Sequence, residues 1–488
     1  MVDFRDTREW LDKAREMGEL AVIKGADTKY EIGTVAQLSG RNQGPAVLFQ
    51  EIKGYPADFR ILTNMMANIK CLNLTLGLPI DKSLRDTIET LAKGMIAGWE
   101  NKSKDYPPKV VDSGPILENV VEGDDIDLNI FPVPTWHELD GGPYIGTADS
   151  VITRDPDTGV VNAGTYRGQL HDRNSVGMMV THGHHGYIHR QKYFARGERC
   201  PVVMVFGVDP LLWTLSTTSI SPDISELNYA GAIRGEPIPV IKGRVTGLPI
   251  PANAEIAIEG FAEPGVTRKE GRFGEWQGYY AGGVTEQPFV KASTLYYRNA
   301  PILTGAPPAK GAYNPYGLAR STWRSAHVWN EIVAAGVPGV KGVWLPPCGG
   351  SWYLQIVSIE QRYGGHATHA GHAVAHSRSG AFSARYTIVV DDDVNPYDLE
   401  DVMWAVCTRS LPTEADIIKK GWGSHSEPLF RRTSAAPVDS TPPRAIVYAV
   451  KPYEWRNEFA PVNVASEEMR SRAFAKWKDA FNGRLQFI

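Results

Sequence analysis

Val202-Val203-Met204-Val205-Phe206-Gly207-Val208 is the longest clearly apolar run in a chain of 488 residues. Its length suits a buried strand and falls far short of the ~20 residues that span a bilayer. Comparable runs recur on both sides of it, at 148–153, 176–181, 255–261 and 289–297, each bounded by Gly, Pro, Asn or Asp. Few helices of any length fit between them. Residues 111–310 therefore read as a β-rich barrel or sandwich.

The pattern changes on either side of this centre. Toward the N-terminus, Trp10, Leu11, Ala14 and Met17 fall at helical spacing within 6–20, and Leu84, Ile88, Leu91 and Met95 do so within 84–99. Short apolar runs at 21–23 and 46–49 lie between them, and Pro107-Pro108 closes an N-terminal α/β region, 1–110. After Pro307-Pro308 the reading is helix 316–335, strands 343–345 and 352–359, an Ala/His-rich helix, strand 385–390 and helix 396–406. That alternation makes 311–465 a C-terminal α/β domain. Residues 466–488 form a helical tail whose apolar positions, Met469, Phe474, Trp477 and Phe481, can dock on a neighbouring subunit or on their own domain. The fold class is α/β (α+β).

Composition narrows the function. Hydrophobic residues make up 42% and charged residues 22%, enough apolar mass for ordinary cores. Lys and Arg (51) nearly balance Asp and Glu (55), which argues against a nucleic-acid or polyanion binder. The N-terminus lacks the apolar core of a signal peptide, and no run suits a membrane. Cysteines stand at 71, 200, 348 and 407 with no CxxC pair, and read as buried small hydrophobes in a reducing compartment. The expectation is a soluble cytoplasmic protein. Neither a Walker A loop nor a dinucleotide fingerprint is present.

Histidines cluster at 182–189 and again at 366, 369, 372 and 376. The second set shares a helix face, so a metal site is conceivable, but helix packing or a subunit contact is the simpler reading. Asp391-Asp392-Asp393 reads as carboxylates capping the next helix rather than as a hard-metal site. In Lys269-Glu270-Gly271-Arg272-Phe273-Gly274-Glu275, two carboxylates stand five residues apart around two glycines. Glycine allows a turn that brings both to one cavity, where differing surroundings would divide acid and base roles. Taken alone, the segment reads first as surface carboxylates beside a turn.

Together these segments resemble the UbiD family of prenylated-flavin-dependent decarboxylases over about 110–410. Asn162-Ala163-Gly164-Thr165-Tyr166-Arg167 resembles the family's metal-ligand Asn followed five residues later by its catalytic Arg. His185 falls where the metal-binding His does, and Ser221-Pro222-Asp223-Ile224-Ser225-Glu226 resembles the stretch whose Glu is the third ligand. Glu270–Glu275 resembles the segment supplying the two acidic partners of the Arg, with Arg272 in place of a common Pro.

The resemblance implies a central split β-barrel that binds prenylated FMN, a C-terminal α/β oligomerisation domain, and a homodimer or homohexamer. It implies Mn²⁺ or Mg²⁺ on Asn162, His185 and Glu226, with K⁺ as a further cation. An Asn/His/Glu set suits such hard ions and leaves positions open for phosphate and water. His184, Ser216, Thr217 and Arg378 join Arg167, His185 and Glu226 as cofactor contacts. Arg167, Glu270 and Glu275 are the implied catalytic set. Arg167 holds the carboxylate and Glu270 holds Arg167. Glu275, with the higher pKa expected of the two acids, protonates carbon in place of CO₂, by way of a covalent substrate–cofactor adduct. A flavin prenyltransferase would supply the cofactor. The substrate would be a small aryl, heteroaryl or α,β-unsaturated carboxylic acid, for which Trp323, Trp344, Pro346-Pro347 and Trp422 are candidate walls. The rival readings are a carboxylase running in reverse and a non-catalytic flavin-binding subunit of a larger complex.

Overall fold

A computed structural model describes residues 2–311, 314–424, 427–429 and 441–481. The run at 202–208 forms most of the strand Cys200–Phe206, inside a curled, wholly antiparallel sheet of ten strands. The path runs Tyr144–Gly146, Gly168–Asp172, Ser175–Gly177, Thr285–Tyr297, Ile256–Ala262, Cys200–Phe206, Asp149–Arg154, Val161–Gly164. Thr267–Glu270 and Asn119–Glu122 pair with the long Thr285–Tyr297 strand as well. Both faces of the sheet's centre are covered, so Asp149–Arg154, Cys200–Phe206 and Ile256–Ala262 are buried nearly throughout and read as continuous apolar runs instead of alternating ones. Met204 and Phe206 pack inward with Tyr144, Val151 and Met178, whereas Val203 and Val205 meet a second cluster with Ile152 and Leu212. Each such side chain contributes roughly 1.5–3 kcal/mol on burial.

The N-terminal sheet pairs Leu20–Lys24, Ala46–Gln50 and Arg60–Thr63 with Ile302–Gly305, a strand that arrives from beyond the central sheet. The helix Thr7–Glu16 covers this region, capped by Asp6 and burying Trp10, Leu11 and Ala14. The C-terminal sheet has five strands in the order Val340–Trp344, Leu354–Ile359, Tyr386–Asp391, Arg444–Ala449, Asp416–Ile418. Its flanking helices are Gly317–Ala334, His366–His376 and Leu399–Arg409. The mixed α/β architecture is the one expected.

Several local expectations are corrected. Three helices lie within 111–310, at His185–Ala195, Pro210–Ser216 and Glu226–Arg234. Every residue of Pro210–Ser216 is buried, and nearly all of Glu226–Arg234, so neither shows an amphipathic period. The helix expected over 84–99 breaks at Lys93 and Gly94, where Gly94 has φ of 105°. The strand at 176–181 leaves the ladder after Gly177. Met178 N–H reaches the carbonyl of Pro288, which has no N–H to return. Asp391 and Asp393 do not cap the following helix: Asp398 does, and the first two pair with Arg409, Asp393 also with Lys451. Cys71 and Cys200 are buried, but Cys348 and Cys407 are exposed, and all four are free. The helix Glu467–Trp477 buries none of its residues. No described helix is long and apolar enough to cross a membrane.

Candidate active site

Arg167 follows the strand Val161–Gly164 and precedes Gly168–Asp172. Its Nε and Nη2 donate to Glu270 Oε1 and Oε2 at 2.8 and 2.9 Å, and its Nη1 donates to Glu275 Oε1 at 3.0 Å. The side chains are 12%, 0% and 13% exposed, so the triad sits inside the protein and not on a turn at its surface. Burial opposes the guanidinium charge, but the hydrogen bonds and charge of Glu270, then the charge of Glu275, outweigh it and raise the Arg167 pKa.

Local sequence explains how both acids reach one arginine. Glu270 ends the strand Thr267–Glu270. Gly271 then passes so close to Gly141 that a Cβ would lie 2.5 Å from Gly141 Cα, a contact only glycine allows. Gln169 Oε1 accepts from Gly271 N–H, and the Tyr144 hydroxyl donates to the Gly271 carbonyl. The chain turns back as Gly278 N–H bonds the Glu275 carbonyl and Glu275 N–H bonds the Tyr279 carbonyl, each at 2.8 Å. Phe273 fills the space under the turn, 4.1 Å from the Tyr144 ring.

The second half of the site gathers around Tyr166. Its hydroxyl accepts from Asn162 Nδ2 at 3.2 Å and from Gly186 N–H at 3.1 Å. It therefore ties Asn162 to the start of the helix His185–Ala195. Its side chain lies where a Cβ on Gly164 or Gly186 would stand, the hydroxyl 2.4 Å from the first and the ring 2.5 Å from the second. Glu226 opens the next helix but one, and its Oε2 accepts from Ala163 N–H at 2.7 Å. Asn162, His185 and Glu226 are thus joined through one strand and its Tyr. Glu226 is buried with no cationic side chain bonded to it, and burial pushes its pKa up to about 8 despite that backbone hydrogen bond. A buried carboxylate in this position fits a metal ion. Among the described residues no three His, Cys, Asp or Glu side chains converge as a metal group; the set here would draw its third ligand from an Asn.

The remaining cofactor candidates fall nearby. His184 precedes the His185–Ala195 helix without a side-chain cap, and Ser225 does so before Glu226, its hydroxyl unpartnered. Both helix starts therefore keep N–H groups open to an anion. Burial lowers the pKa of His184 and His185, with Arg378 adding to the effect at His185, so Arg378 is within electrostatic reach of that ring. Ser216 donates to the Leu212 carbonyl and meets Ser150, and Thr217 donates to the Thr214 carbonyl. The Ser216 carbonyl accepts from Thr165 N–H at 2.9 Å, fixing the turn ahead of Arg167. Of the aromatic walls, Trp323 and Trp344 are core residues, and Trp422 lies exposed against Phe382. The aromatic side chain next to Glu275 is Trp276, which packs on Trp352. Its position directly after Glu275 was the available signal.

Comparison with known proteins accords with this geometry. Models of the UbiD 3-octaprenyl-4-hydroxybenzoate carboxy-lyase match in three parts: the N-terminal domain over 11–91, the Rift-related domain over 109–311 and the C-terminal domain over 318–434. The UbiD-class enzyme HmfF from Pelotomaculum thermopropionicum, in complex with FMN, is 27% identical, with 97% of this chain and 99% of that chain covered and a TM-score of 0.83. An evolved dimeric form of HmfF in complex with prFMN is 27% identical over 94% and 97%, with a TM-score of 0.80. The vanillic acid decarboxylase of Sedimentibacter hydroxybenzoicus in closed form is 27% identical over 98% and 99%, with a TM-score of 0.81.

Proposed function

This chain belongs to the UbiD family of carboxy-lyases, and from that premise we propose that it decarboxylates an aromatic or heteroaromatic carboxylic acid, reversibly and without net oxidation, using prenylated FMN. When bound, that cofactor supplies the electrophilic centre and the electron sink for CO₂ departure. Asn162, His185 and Glu226 would hold Mn²⁺ or Mg²⁺, which would supply positive charge for the cofactor phosphate, with K⁺ as a second cation. The open helix starts at His185 and Glu226 and the charge of Arg378 assist, and His184, Ser216 and Thr217 border the cofactor. A divalent ion meets both the phosphate charge and the unpaired Glu226 carboxylate.

The observation that carries the reading is the unequal grip on Arg167. Glu270 spends both oxygens on the guanidinium, while Glu275 uses one. Three of five N–H donors are engaged, leaving one on each Nη for a substrate carboxylate. Glu270 is the holder. Glu275, with an oxygen to spare, carries the proton that replaces CO₂. The same groups serve carboxylation, with CO₂ supply setting the direction. An α,β-unsaturated acid would meet the same apparatus. A complete Glu–Arg–Glu set disfavours a merely flavin-binding subunit.

We further propose a division at 1–110, 111–310, 311–465 and 466–488, cytoplasmic residence, and a homo-oligomer, dimer or hexamer, in which the bare Glu467–Trp477 helix meets another copy. The test of the function is co-production with a flavin prenyltransferase. The purified protein should show a prenylated-flavin spectrum and release CO₂ from members of an aryl-acid panel. Protein that binds no flavin under these conditions would refute the reading.

A further inference from the structure

Glu275 lies on the connection 271–284, between the strands Thr267–Glu270 and Thr285–Tyr297. This is far longer than the roughly two to five residues that close most hairpins. Its course explains the length. Glu275 N–H bonds the Tyr279 carbonyl, which turns the chain back on itself, and Gly282 then returns beside the acid. A Cβ on Gly282 would stand 3.0 Å from Glu275 Oε1 and 3.9 Å from Arg167 Nη2. The second half of the connection thus roofs both the acid and the guanidinium.

The two halves are held by different partners. Trp276 packs 4.6 Å from Trp352 and 5.0 Å from Tyr353, and Gly278 passes closely over the Lys310 backbone. Tyr280 turns elsewhere: its hydroxyl donates to Asp140 Oδ1 at 3.0 Å. Asp140 directly precedes Gly141, the residue against which Gly271 is pressed, and Gly141 N–H bonds the Arg272 carbonyl at 2.8 Å. One short stretch therefore grips the connection twice, at its base through Gly141 and at its roof through Asp140.

The Asp140 side chain is 0% exposed, and among the described residues no lysine or arginine pairs with it. Its Oδ2 accepts from His137 N–H at 2.9 Å, and the His137 ring, 3.9 Å away, is kept neutral by burial. Burial pushes the Asp140 carboxyl up to about 6, while the bonds from His137 N–H, Tyr280 and Trp136 N–H pull it down and the charge of Glu138 adds to the rise. At neutral pH it is a buried carboxylate without a counter-ion, tolerated because those bonds replace water. The Tyr280 bond is then charge-assisted, the strong kind. A buried charge that meets a phenol holds that phenol, and with it the segment to which the phenol belongs.

Resting on the reading of Glu275 as proton donor, we propose that Asp140 and Tyr280 are positioning residues: their bond closes the second half of the 271–284 connection over Glu275, shutting bulk water away from the acid and fixing its carboxyl against Arg167. Proton delivery to carbon needs both, because a solvated, wandering acid seldom meets the reacting atom in line.

The test is hydrogen exchange read by mass spectrometry on the full chain as purified, at pH 7.5, for parent, Tyr280→Phe, Asp140→Asn and the double variant. The Glu275 and Gly278 amides, bonded inside the connection, are the reporters. Tyr280→Phe should raise exchange across 275–283 by roughly 10–100-fold, as loss of a hydrogen bond to a charged group implies, with Cys200–Phe206 and Ile256–Ala262 unchanged. Asp140→Asn keeps a neutral acceptor and should raise it less. The double variant should exchange no faster than Tyr280→Phe, since both changes break one bond. In the loaded enzyme kcat should fall in the same order, by roughly tenfold or more for Tyr280→Phe, with KM and flavin absorbance within about twofold of the parent. Should Tyr280→Phe fold poorly, Asp140→Asn carries the comparison. Parental exchange in both single variants overturns the proposal. So does a rise that spreads to Cys200–Phe206 in both, for the pair would then hold the fold and not the segment, and so does raised exchange with unchanged kcat. If the parent decarboxylates no acid offered, the decarboxylase reading is what fails, and exchange alone then decides the closure: a coupled rise upholds it, and additive changes or none overturn it.

Discussion

Replacing Glu270 with Gln tests the clamp on Arg167 at its strongest point. The carboxylate makes two charge-assisted bonds, 2.8 and 2.9 Å long, and is itself wholly buried. Gln preserves the shape but turns one acceptor into a donor facing an N–H. One bond is lost and the other keeps only the arginine's charge. At about 1.5–3 kcal/mol for a hydrogen bond to a charged group, the variant forfeits about 2–4 kcal/mol of hold on the guanidinium. If that hold is expressed in the transition state, kcat/KM falls by roughly 10²–10³-fold, at about 1.4 kcal/mol per factor of ten. Arg167 would also turn toward Glu275, tying up the spare oxygen. The assay is CO₂ release at matched flavin and metal content, alongside thermal denaturation. Glu270→Ala should cost more stability than Gln, about 3–5 kcal/mol, because it strips the bidentate partner from a buried cation and leaves only Glu275 facing it. A Glu270→Gln enzyme within about threefold of the parent would refute the assignment of Glu270 as the holder of Arg167.

Glu226→Gln removes the charge that faces the metal, so purified protein should lose both Mn and flavin absorbance by roughly tenfold or more; equal occupancy would contradict the metal assignment. His189, buried against Thr153, has its pKa lowered to about 4 from 6.5, chiefly by burial. Its contribution to stability is therefore complete above about pH 6.5 and is lost as pH falls toward 4, about 3 kcal/mol at most. Denaturation of parent and His189→Gln between pH 7.5 and 4.5 should show a shallower acid slope in the variant, and identical slopes would count against it. Light scattering should show at least a dimer, with truncation before residue 466 weakening assembly; a monomer at micromolar concentration would refute the role given to the bare helix.

The strands Asp149–Arg154, Cys200–Phe206 and Ile256–Ala262 were legible because each is covered on both faces and so reads as an apolar run, whereas Tyr144–Gly146, Val161–Gly164, Gly168–Asp172, Thr267–Glu270 and Asn119–Glu122, all five residues or shorter, carried no such signal. The triad was legible as a motif, but its geometry was not. Nothing in the spacing of Glu270 and Glu275 says that Gly271 must slide against Gly141, or that Glu270 engages with two oxygens and Glu275 with one. Pro210–Ser216 and Glu226–Arg234 escaped because a helix buried all round carries no period. That hid the helix start which presents Glu226. The fourth strand of the N-terminal sheet comes from 302–305, a pairing that local pattern does not encode. Trp323 and Trp344 looked like pocket walls because aromatic residues serve cores and cavities alike.

The measurement that bears most directly on the account is proton delivery by Glu275. Parent and Glu275→Gln, each loaded with prenylated FMN and metal, would be given a decarboxylating acid in D₂O. The parent should release CO₂ and place deuterium at the carbon that carried the carboxylate. The variant keeps the shape but has no proton to transfer, so it should retain flavin and metal yet lose turnover by roughly 10²–10⁴-fold, with deuterium incorporation falling in step. Near-normal decarboxylation and labelling by a fully loaded Glu275→Gln enzyme would show that the proton comes from another group and that Glu275 is not the acid.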